Sequence, residues 1–436
     1  MSNKQNKDKI GILSLGCPRN LVDSESILSK LSLKGHPIVD MREADVAIVN
    51  TCAFIEDAKK ESVSAILDLI ELKKEGKLKK LIVYGCLAQR YNEELKKELP
   101  EVDAFVGKIS LNHDLKRFSL TPRHYAYLKI CEGCINNCSY CVIPKIKGKF
   151  VSLNMNSVLQ KVEAMDKDKV SELNIVGQDI TGYGRDIYGK YKLHELLNKI
   201  VKKTKNIGWI RLLYLYPSRI QDELLDLIRD CPKICKYIDL PIQHINNRIL
   251  SLMRRSTTRE EILFLIDKIR KKIPEVAIRT SIIVGFPSET DREFRELVDF
   301  VEDTRFERLG AFVYSREEGT CAYNFKGHIP PKIKAERLNE IMLRQQKISQ
   351  ENNKKLLGKT IDVLIDEKQK DVYPVRKDVS GDTNFSNGVY LGRSQYDAPE
   401  VDGLVYVKSR KLLGEGEFVK LKVTNTLEYD LVGEVL

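Results

Sequence analysis

The sequence predicts an α/β protein in three parts: an N-terminal parallel-sheet α/β domain, a central partial β/α barrel and a C-terminal small antiparallel β-barrel. Three observations predict it. Short apolar runs alternate with helix-patterned polar stretches through most of the chain, which calls for crossover connections and parallel strands. The alternation pauses near residue 120 and then resumes. Beyond a long polar helix the pattern changes to short alternating strands between Gly, Asp and Asn turns, the mark of a small β-barrel. The resulting divisions are 8–120, 121–355 and 356–436.

In the first part "IGILSLGC", "ADVAIVNTC" and "KLIVYGC" read as strands, each followed by a helical stretch. Each ends on a cysteine: Cys17, Cys52 and Cys86 follow Gly16, Thr51 and Gly85. The C-terminal ends of parallel strands share one edge of the sheet, and ligands bind there. A single cysteine at such a place is ordinary core, but three in one register are expected to converge.

The second part contributes six more runs, "HYAYLKI", "ELNIVGQD", "WIRLLYLYP", "KYIDLPIQH", "AIRTSIIVGFP" and "RLGAFVYS", with helical segments between them. Barrels of this kind carry their chemistry at the C-terminal ends of the strands. "GHIPPKIKAERL" marks a break, and a long polar helix over roughly 333–356 follows. The third part reads as about five strands: "KTIDVLIDE", "GVYLGRS", "GLVYVKS", "GEFVKLKVTNT" and "YDLVGEVL". Small barrels of this architecture often bind oligonucleotides. Within it the acidic run "SQYDAPEVDG" would suit a basic protein partner better than RNA.

Composition excludes several classes. The chain of 436 residues is 42% hydrophobic and 31% charged, with no collagen-like or disordered bias. No apolar run approaches a membrane span, and the lysine-rich start "MSNKQNKDKIGI" lacks the apolar core of a secretion signal. The expectation is a cytoplasmic protein, whose ten cysteines serve as ligands, catalysts or core rather than disulfides. The net charge of +11 suits a solvated lysine surface as well as a phosphate-rich partner such as RNA or a ribosome.

"CEGCINNCSYCVIP" sits after the first barrel strand, where barrel chemistry belongs. Cys134, Cys138 and Cys141 have the spacing C-x3-C-x2-C, and Cys131 stands in front. Zinc prefers four tetrahedral ligands, usually as two C-x2-C pairs on separate knuckles, which makes it the second reading here. Three thiolates can instead hold three irons of a four-iron, four-sulfur cluster and leave the fourth iron open. Cys231, Cys235 and His244 offer a weaker zinc set, with packing the preferred reading, and Cys321 reads as core.

C-x3-C-x2-C with an aromatic residue, Tyr140, before the last cysteine resembles the signature of the radical S-adenosylmethionine enzymes. Over nearly the whole chain the arrangement resembles the methylthiotransferases. In that family the counterparts of Cys17 ("LGCPRN"), Cys52 ("NTCAF") and Cys86 ("YGCLAQR") hold a second four-iron cluster, and the C-terminal domain is a TRAM domain. "GQDITGYGRDIYG", "WIRLLYLYPS", "YIDLPIQH", "GRSQYDAPEVDG" and "LEYDLVGE" resemble the RimO-type, ribosomal branch rather than the transfer-RNA branch. Two stretches depart from the family pattern: Ile135-Asn136-Asn137, where basic residues are common, and Leu153, where an arginine often stands.

The resemblance implies two 4Fe-4S clusters and S-adenosyl-L-methionine as cofactors. It implies methylthio transfer to the β-carbon of an aspartate in the small-subunit ribosomal protein S-twelve, with a reductant such as a flavodoxin and RNA contact as an option. Tyr140, Gly285, Phe286 and Pro287 are the expected S-adenosylmethionine contacts, the last three within "SIIVGFPSET". Cys131 becomes a bystander. The N-terminal sheet edge is expected to cap the barrel mouth, because a radical needs a dry site. Two other readings stand beside this one: methylthio transfer to an adenosine of transfer RNA, and a non-enzymatic RNA- or ribosome-binding module holding zinc.

Overall fold

The protein is known from a computed structural model, which describes residues 7–107, 117–369 and 388–436. Part of the lysine-rich start, residues 1–6, lies outside the described residues. Strands β1 (Ile10–Ser14), β2 (Val46–Thr51), β3 (Lys80–Gly85) and β4 (Ala104–Val106) form one parallel sheet in sequential order. The short β4 adds to the three runs read from the sequence. Alternation along β2 serves both faces of this sheet. Val46 and Ile48 pack with Leu28 of helix α1 (Pro18–Leu33). Ala47 and Val49 pack with Ile66, Leu69 and Ile70 of α2 (Glu56–Lys74).

All six expected barrel strands form. Strand β5 (Tyr125–Lys129) opens the unit, and the two-residue β6 (Cys131–Glu132) and β7 (Val151–Ser152) make an antiparallel ribbon that closes the base of the cysteine loop. Strands β8 (Glu172–Val176) and β9 (Trp209–Leu212) pair parallel with β5 in the order β5-β8-β9. Strands β10 (Tyr237–Asp239), β11 (Ala277–Val284) and β12 (Arg308–Val313) form a second parallel set. The two sets meet where the Leu215 N–H donates to the Asp239 carbonyl at 3.0 Å. One continuous apolar core fills the unit. The long polar helix spans Pro331–Lys354.

The C-terminal part is a closed barrel of β13 (Thr360–Lys368), β14 (Val389–Ser394), β15 (Val405–Lys408), β16 (Phe418–Thr426) and β17 (Leu431–Val435), ordered β13-β14-β15-β17-β16. Its pairings are antiparallel except β15–β17, which is parallel. A ring with an odd number of strands cannot alternate direction throughout, so one parallel pair is a geometric necessity.

The acidic run of this barrel is a correction to the sequence reading. Its carboxylates do not form a free partner surface. Asp397 is buried against Arg308 at 2.9 Å, and Asp402 accepts from the Tyr237 hydroxyl at 2.6 Å and lies 3.4 Å from Arg279. Glu400 accepts from the Tyr125 hydroxyl at 3.0 Å. With the wholly enclosed Glu172, which pairs with Arg211 and Arg393, these groups fix the small barrel to the central one. No helix among the described residues is long and apolar enough to cross a membrane.

Candidate functional site

The three N-terminal cysteines are set by local chain geometry at neighbouring strand ends. Cys17 caps the start of α1, with Pro18 in the first turn, and Cys86 opens the short helix α3 (Cys86–Arg90). Gly16 has φ of +87°, and a Cβ there would fall 2.8 Å from the Cys52 Cβ, so only glycine lets these strand ends close on each other. Asn20 ties the edge together. Its side chain donates to the Leu15 and Thr51 carbonyls at 3.0 and 3.2 Å, and its Oδ1 lies 3.8 Å from the Cys86 Sγ. The Asn50 side chain donates in turn to the Asn20 carbonyl at 2.7 Å. The Ser62 hydroxyl accepts from the Cys52 N–H at 3.0 Å.

The second set lies on the loop between β6 and β7. Asn136 donates to the Cys134 Sγ from its backbone N–H and from its side chain, both at 3.4 Å. Arg219 donates to the Asn136 Oδ1 at 2.7 Å and pairs with Asp179. The positive charge absent from Ile135-Asn136-Asn137 in the sequence thus arrives from the loop after β9. Arg255 lies over the Tyr216 ring at 4.2 Å and 4.0 Å from the Cys138 Sγ, and its Nε is enclosed without a hydrogen-bond partner among the described residues.

The N-terminal domain covers the mouth formed by the C-terminal ends of the barrel strands. Asp23 of α1 pairs with Lys129 and, at 3.3 Å, with Lys147; Glu132 accepts from Lys129 at 2.5 Å and from Gln178 at 3.1 Å. On the other side of the mouth Arg90 donates to Glu317 at 2.8 Å, and Lys59 lies 3.1 Å from the same carboxylate. Between these contacts lies Arg19. Its Nε donates to the Cys17 Sγ at 3.3 Å, its Nη1 donates to the Gly177 carbonyl at 3.3 Å, and its guanidinium stacks 4.5 Å over Tyr214. Its charge acts on Cys17 and Cys52 and on Cys141. Cys17, Cys52 and Cys86 also feel one another, as do Cys134, Cys138 and Cys141.

The thiols differ in acidity. Burial tends to raise Cys17, but the Arg19 charge, its hydrogen bond and the N–H groups of the helix start bring it below the usual thiol value. Burial pushes Cys52 and Cys134 up, and pushes Cys86 and Cys141 to about 12. All ten cysteines are unpaired with one another. No group of three His, Cys, Asp or Glu among the described residues already has metal-holding geometry. The donor chemistry fits an iron–sulfur group at each set: three thiols, N–H and guanidinium donors aimed at sulfur, and an enclosed Arg255 nitrogen in need of a partner.

The remaining sequence candidates divide. Tyr140 packs in one apolar cluster with Phe286 and Tyr314. Phe286 is wholly enclosed, with its ring 5.3 Å from Tyr314 and 6.1 Å from Phe325, so it backs the turn from behind. Gly285 has φ of +71°, and its N–H donates to Glu289 at 2.6 Å; Pro287 is buried beside it. Cys131 is fully buried in the barrel core. Cys231 and Cys235 are buried too, and His244 faces Glu289 at 3.0 Å rather than either thiol. Cys321 is exposed, against the expectation of core: the inward position of its short helical turn belongs to Ala322. Arg19, Asn20, Asn136, Tyr214 and Arg255 were missed as site residues. Arg19 and Asn20 had a signal in their place directly after Cys17.

Comparison with known proteins agrees with this layout. Residues 9–107 match the model of Uncharacterized protein family UPF0004, residues 128–301 that of the Radical SAM superfamily and residues 382–436 that of the TRAM domain. The chain is 47% identical to Ribosomal protein uS12 methylthiotransferase RimO of Clostridioides difficile, with 98% of this chain and 99% of that one covered. It is 43% identical to the protein of the same name from Citrifermentans bemidjiense, with 99% of each covered. Among solved structures, the fold is similar to the radical S-adenosylmethionine methyltransferase TsrM from Kitasatospora setae, at a TM-score of 0.52 and 13% identity over 70% of this chain and 75% of that one.

Proposed function

Because the chain belongs to the RimO family of ribosomal protein uS12 methylthiotransferases, we propose that it attaches a methylthio group to the β-carbon of an aspartate in that protein by radical S-adenosylmethionine chemistry. One observation carries the reading: the sheet edge bearing Cys17, Cys52 and Cys86 lies over the barrel mouth bearing Cys134, Cys138 and Cys141, joined to it by Arg19 on the Gly177 carbonyl and by Asp23 on Lys129 and Lys147.

Cys134, Cys138 and Cys141 would hold one 4Fe-4S cluster, with S-adenosylmethionine beside it near Tyr140 and the turn of Gly285, Phe286 and Pro287. Cys17, Cys52 and Cys86 would hold the second. When bound, these groups supply a hydrogen-abstracting radical and the sulfur that replaces the hydrogen. The chain's own residues prepare the site. Asn136 directs N–H hydrogens at the Cys134 sulfur, which works against the burial that raises that thiol, and Arg255 lies beside the Cys138 sulfur. Asn20 and Asn50 hold the strand ends in register. The Asp23–Lys129–Glu132–Lys147 cluster and the Arg90–Glu317 pair keep the domain seated on the mouth and exclude water. A reductant such as a flavodoxin would supply electrons, the TRAM domain would contact RNA or the substrate, and the setting would be the cytoplasm.

The test incubates the anaerobically reconstituted enzyme with uS12 or small subunits and, separately, with hypomodified transfer RNA. Mass spectrometry should find a methylthio group on a uS12 aspartate. A gain on transfer RNA alone would overturn the reading in favour of the adenosine-modifying branch.

A further inference from the structure

We propose that Arg19 binds the side-chain carboxylate of the target aspartate and thereby selects aspartate over its neutral amide. The inference rests on the uS12 reading above and adds a specificity-determining residue to it.

The first ground is charge. The enclosed arginines Arg211, Arg308, Arg337 and Arg393 each pair with a carboxylate. Arg19 pairs with none among the described residues. The carboxylate whose field reaches it, Glu132, is committed to Lys129 and Lys147. Arg19 spends Nε on the Cys17 Sγ and Nη1 on the Gly177 carbonyl, so the edge of the guanidinium at Nη2 has no partner among the described residues. Arg255 also lacks a carboxylate, but it lies beside Cys138 and Tyr216, on the barrel side.

The second ground is position. A β-carbon that meets both cysteine sets carries its carboxylate carbon one bond away. The cation that holds the carboxylate must therefore stand between the sets, and Arg19 bridges the two parts, with Nε on the Cys17 Sγ and Nη1 on the Gly177 carbonyl of the barrel, both at 3.3 Å. A carboxylate brought between two groups of thiolates meets like charge. A fixed guanidinium offsets that repulsion, stays protonated, and presents a planar fork to the two oxygens.

The third ground is that Arg19 is held still. Its stacking partner Tyr214 has φ of +65°, a left-handed conformation costly for a tyrosine. That backbone is fixed because the Tyr214 N–H donates to Asp239 at 2.8 Å and its carbonyl accepts from the Ile180 N–H at 3.2 Å. Strain retained beneath a stacked, unpaired arginine is the pattern of a preorganised binding group.

The experiment compares the wild-type holoenzyme with Arg19→Met and Arg19→Lys. Each is titrated with purified uS12 and with uS12 carrying asparagine at the target position, and binding is read by fluorescence anisotropy alongside KM, kcat and iron content. Wild type should prefer aspartate by ten- to a hundredfold, on the order of one charge-assisted hydrogen-bonded pair. R19M should bind the two proteins alike, with a raised KM for the aspartate form, and R19K should recover part of the preference. The binding ratio is read whether or not R19M keeps full iron, so loss of the Cys17 hydrogen bond does not mask the answer. If wild type modifies uS12 and R19M keeps the wild-type preference, the role of Arg19 is overturned while the uS12 reading stands. If wild type neither binds nor modifies uS12, both fall together.

Discussion

The two thiol sets reach the junction of the sheet edge and the barrel mouth by opposite routes. Cys134, Cys138 and Cys141 belong to a single loop clamped at its base by the β6–β7 ribbon, so chain spacing alone keeps them close. Cys17, Cys52 and Cys86 come from the ends of three strands and depend on the register β1-β2-β3, on Gly16 and on Asn20. The local set is robust to small movements of the domains. The assembled set is as secure only as the sheet edge and its seat on the barrel. Electrostatics divide the assembled set itself: Cys17, at the start of a helix beside Arg19, is the more acidic thiol, while burial raises the pKa of Cys52 and Cys86 as it does that of Cys134 and Cys141.

The largest expected effect separates the two sets by chemistry. Cys138→Ser should abolish both 5′-deoxyadenosine formation and methylthio transfer. Cys52→Ser should abolish transfer while leaving 5′-deoxyadenosine formation measurable by chromatography. Each variant should bind about half of the roughly eight irons expected for two clusters. Equal loss of both activities in C52S would remove the distinction between the sets.

Next in size is the seat of the N-terminal domain. Glu132→Gln removes a carboxylate shared by Lys129 and Lys147, the two lysines that also hold Asp23, and breaking such a buried pair costs about 3–5 kcal/mol. Denaturant unfolding and limited proteolysis should report it, with the N-terminal domain cut first. The same carboxylate sets a pH dependence. Burial works to raise Glu132, but Lys129 and Lys147 override it and hold the group at about 2, below its ordinary 4.5. Its contribution is therefore full above pH 4.5 and is lost as pH falls from there toward 2. Wild type should lose protease resistance at the interface across that window, and E132Q should show a flatter response.

Gly16→Ala should act on the assembled set alone. A Cβ at φ of +87° strains the backbone and crowds Cys52, at a cost of about 1–3 kcal/mol. Iron should fall at the N-terminal set, while 5′-deoxyadenosine formation stays near wild type. The smallest effect lies far from both sets. Thr258→Ala removes a capping box with Glu261 at the helix Arg259–Lys272 and should cost about 1 kcal/mol in a thermal melt without changing either activity.

Much of this molecule was legible in the chain itself. The spacing around Cys134, Cys138 and Cys141 is a local property, and so is the alternation that produced the strands, because period and turn residues act over a few positions. Cys17, Cys52 and Cys86 were legible for a related reason: parallel strands must end on one side. Side chains whose meaning depends on distant partners were not. Cys321 looked like core and is exposed, since which face of a short helical turn points inward is decided by packing. The acidic run "SQYDAPEVDG" read as suited to a basic partner, yet its carboxylates are spent on Arg308, Tyr237 and Arg279, because a buried charge is costly unless paired and the pairing groups came from another part of the chain.

By itself, then, the sequence determined the strands, the two cysteine sets and the order of the three parts, all of which follow from covalent spacing and hydrophobic period. Only the tertiary structure decided that the sheet edge covers the barrel mouth, that Lys129 and Lys147 hold it there, and that Arg19 stands between the sets without a carboxylate of its own. Charge pairing across a fold has no period in the chain, because it is set by which surfaces meet.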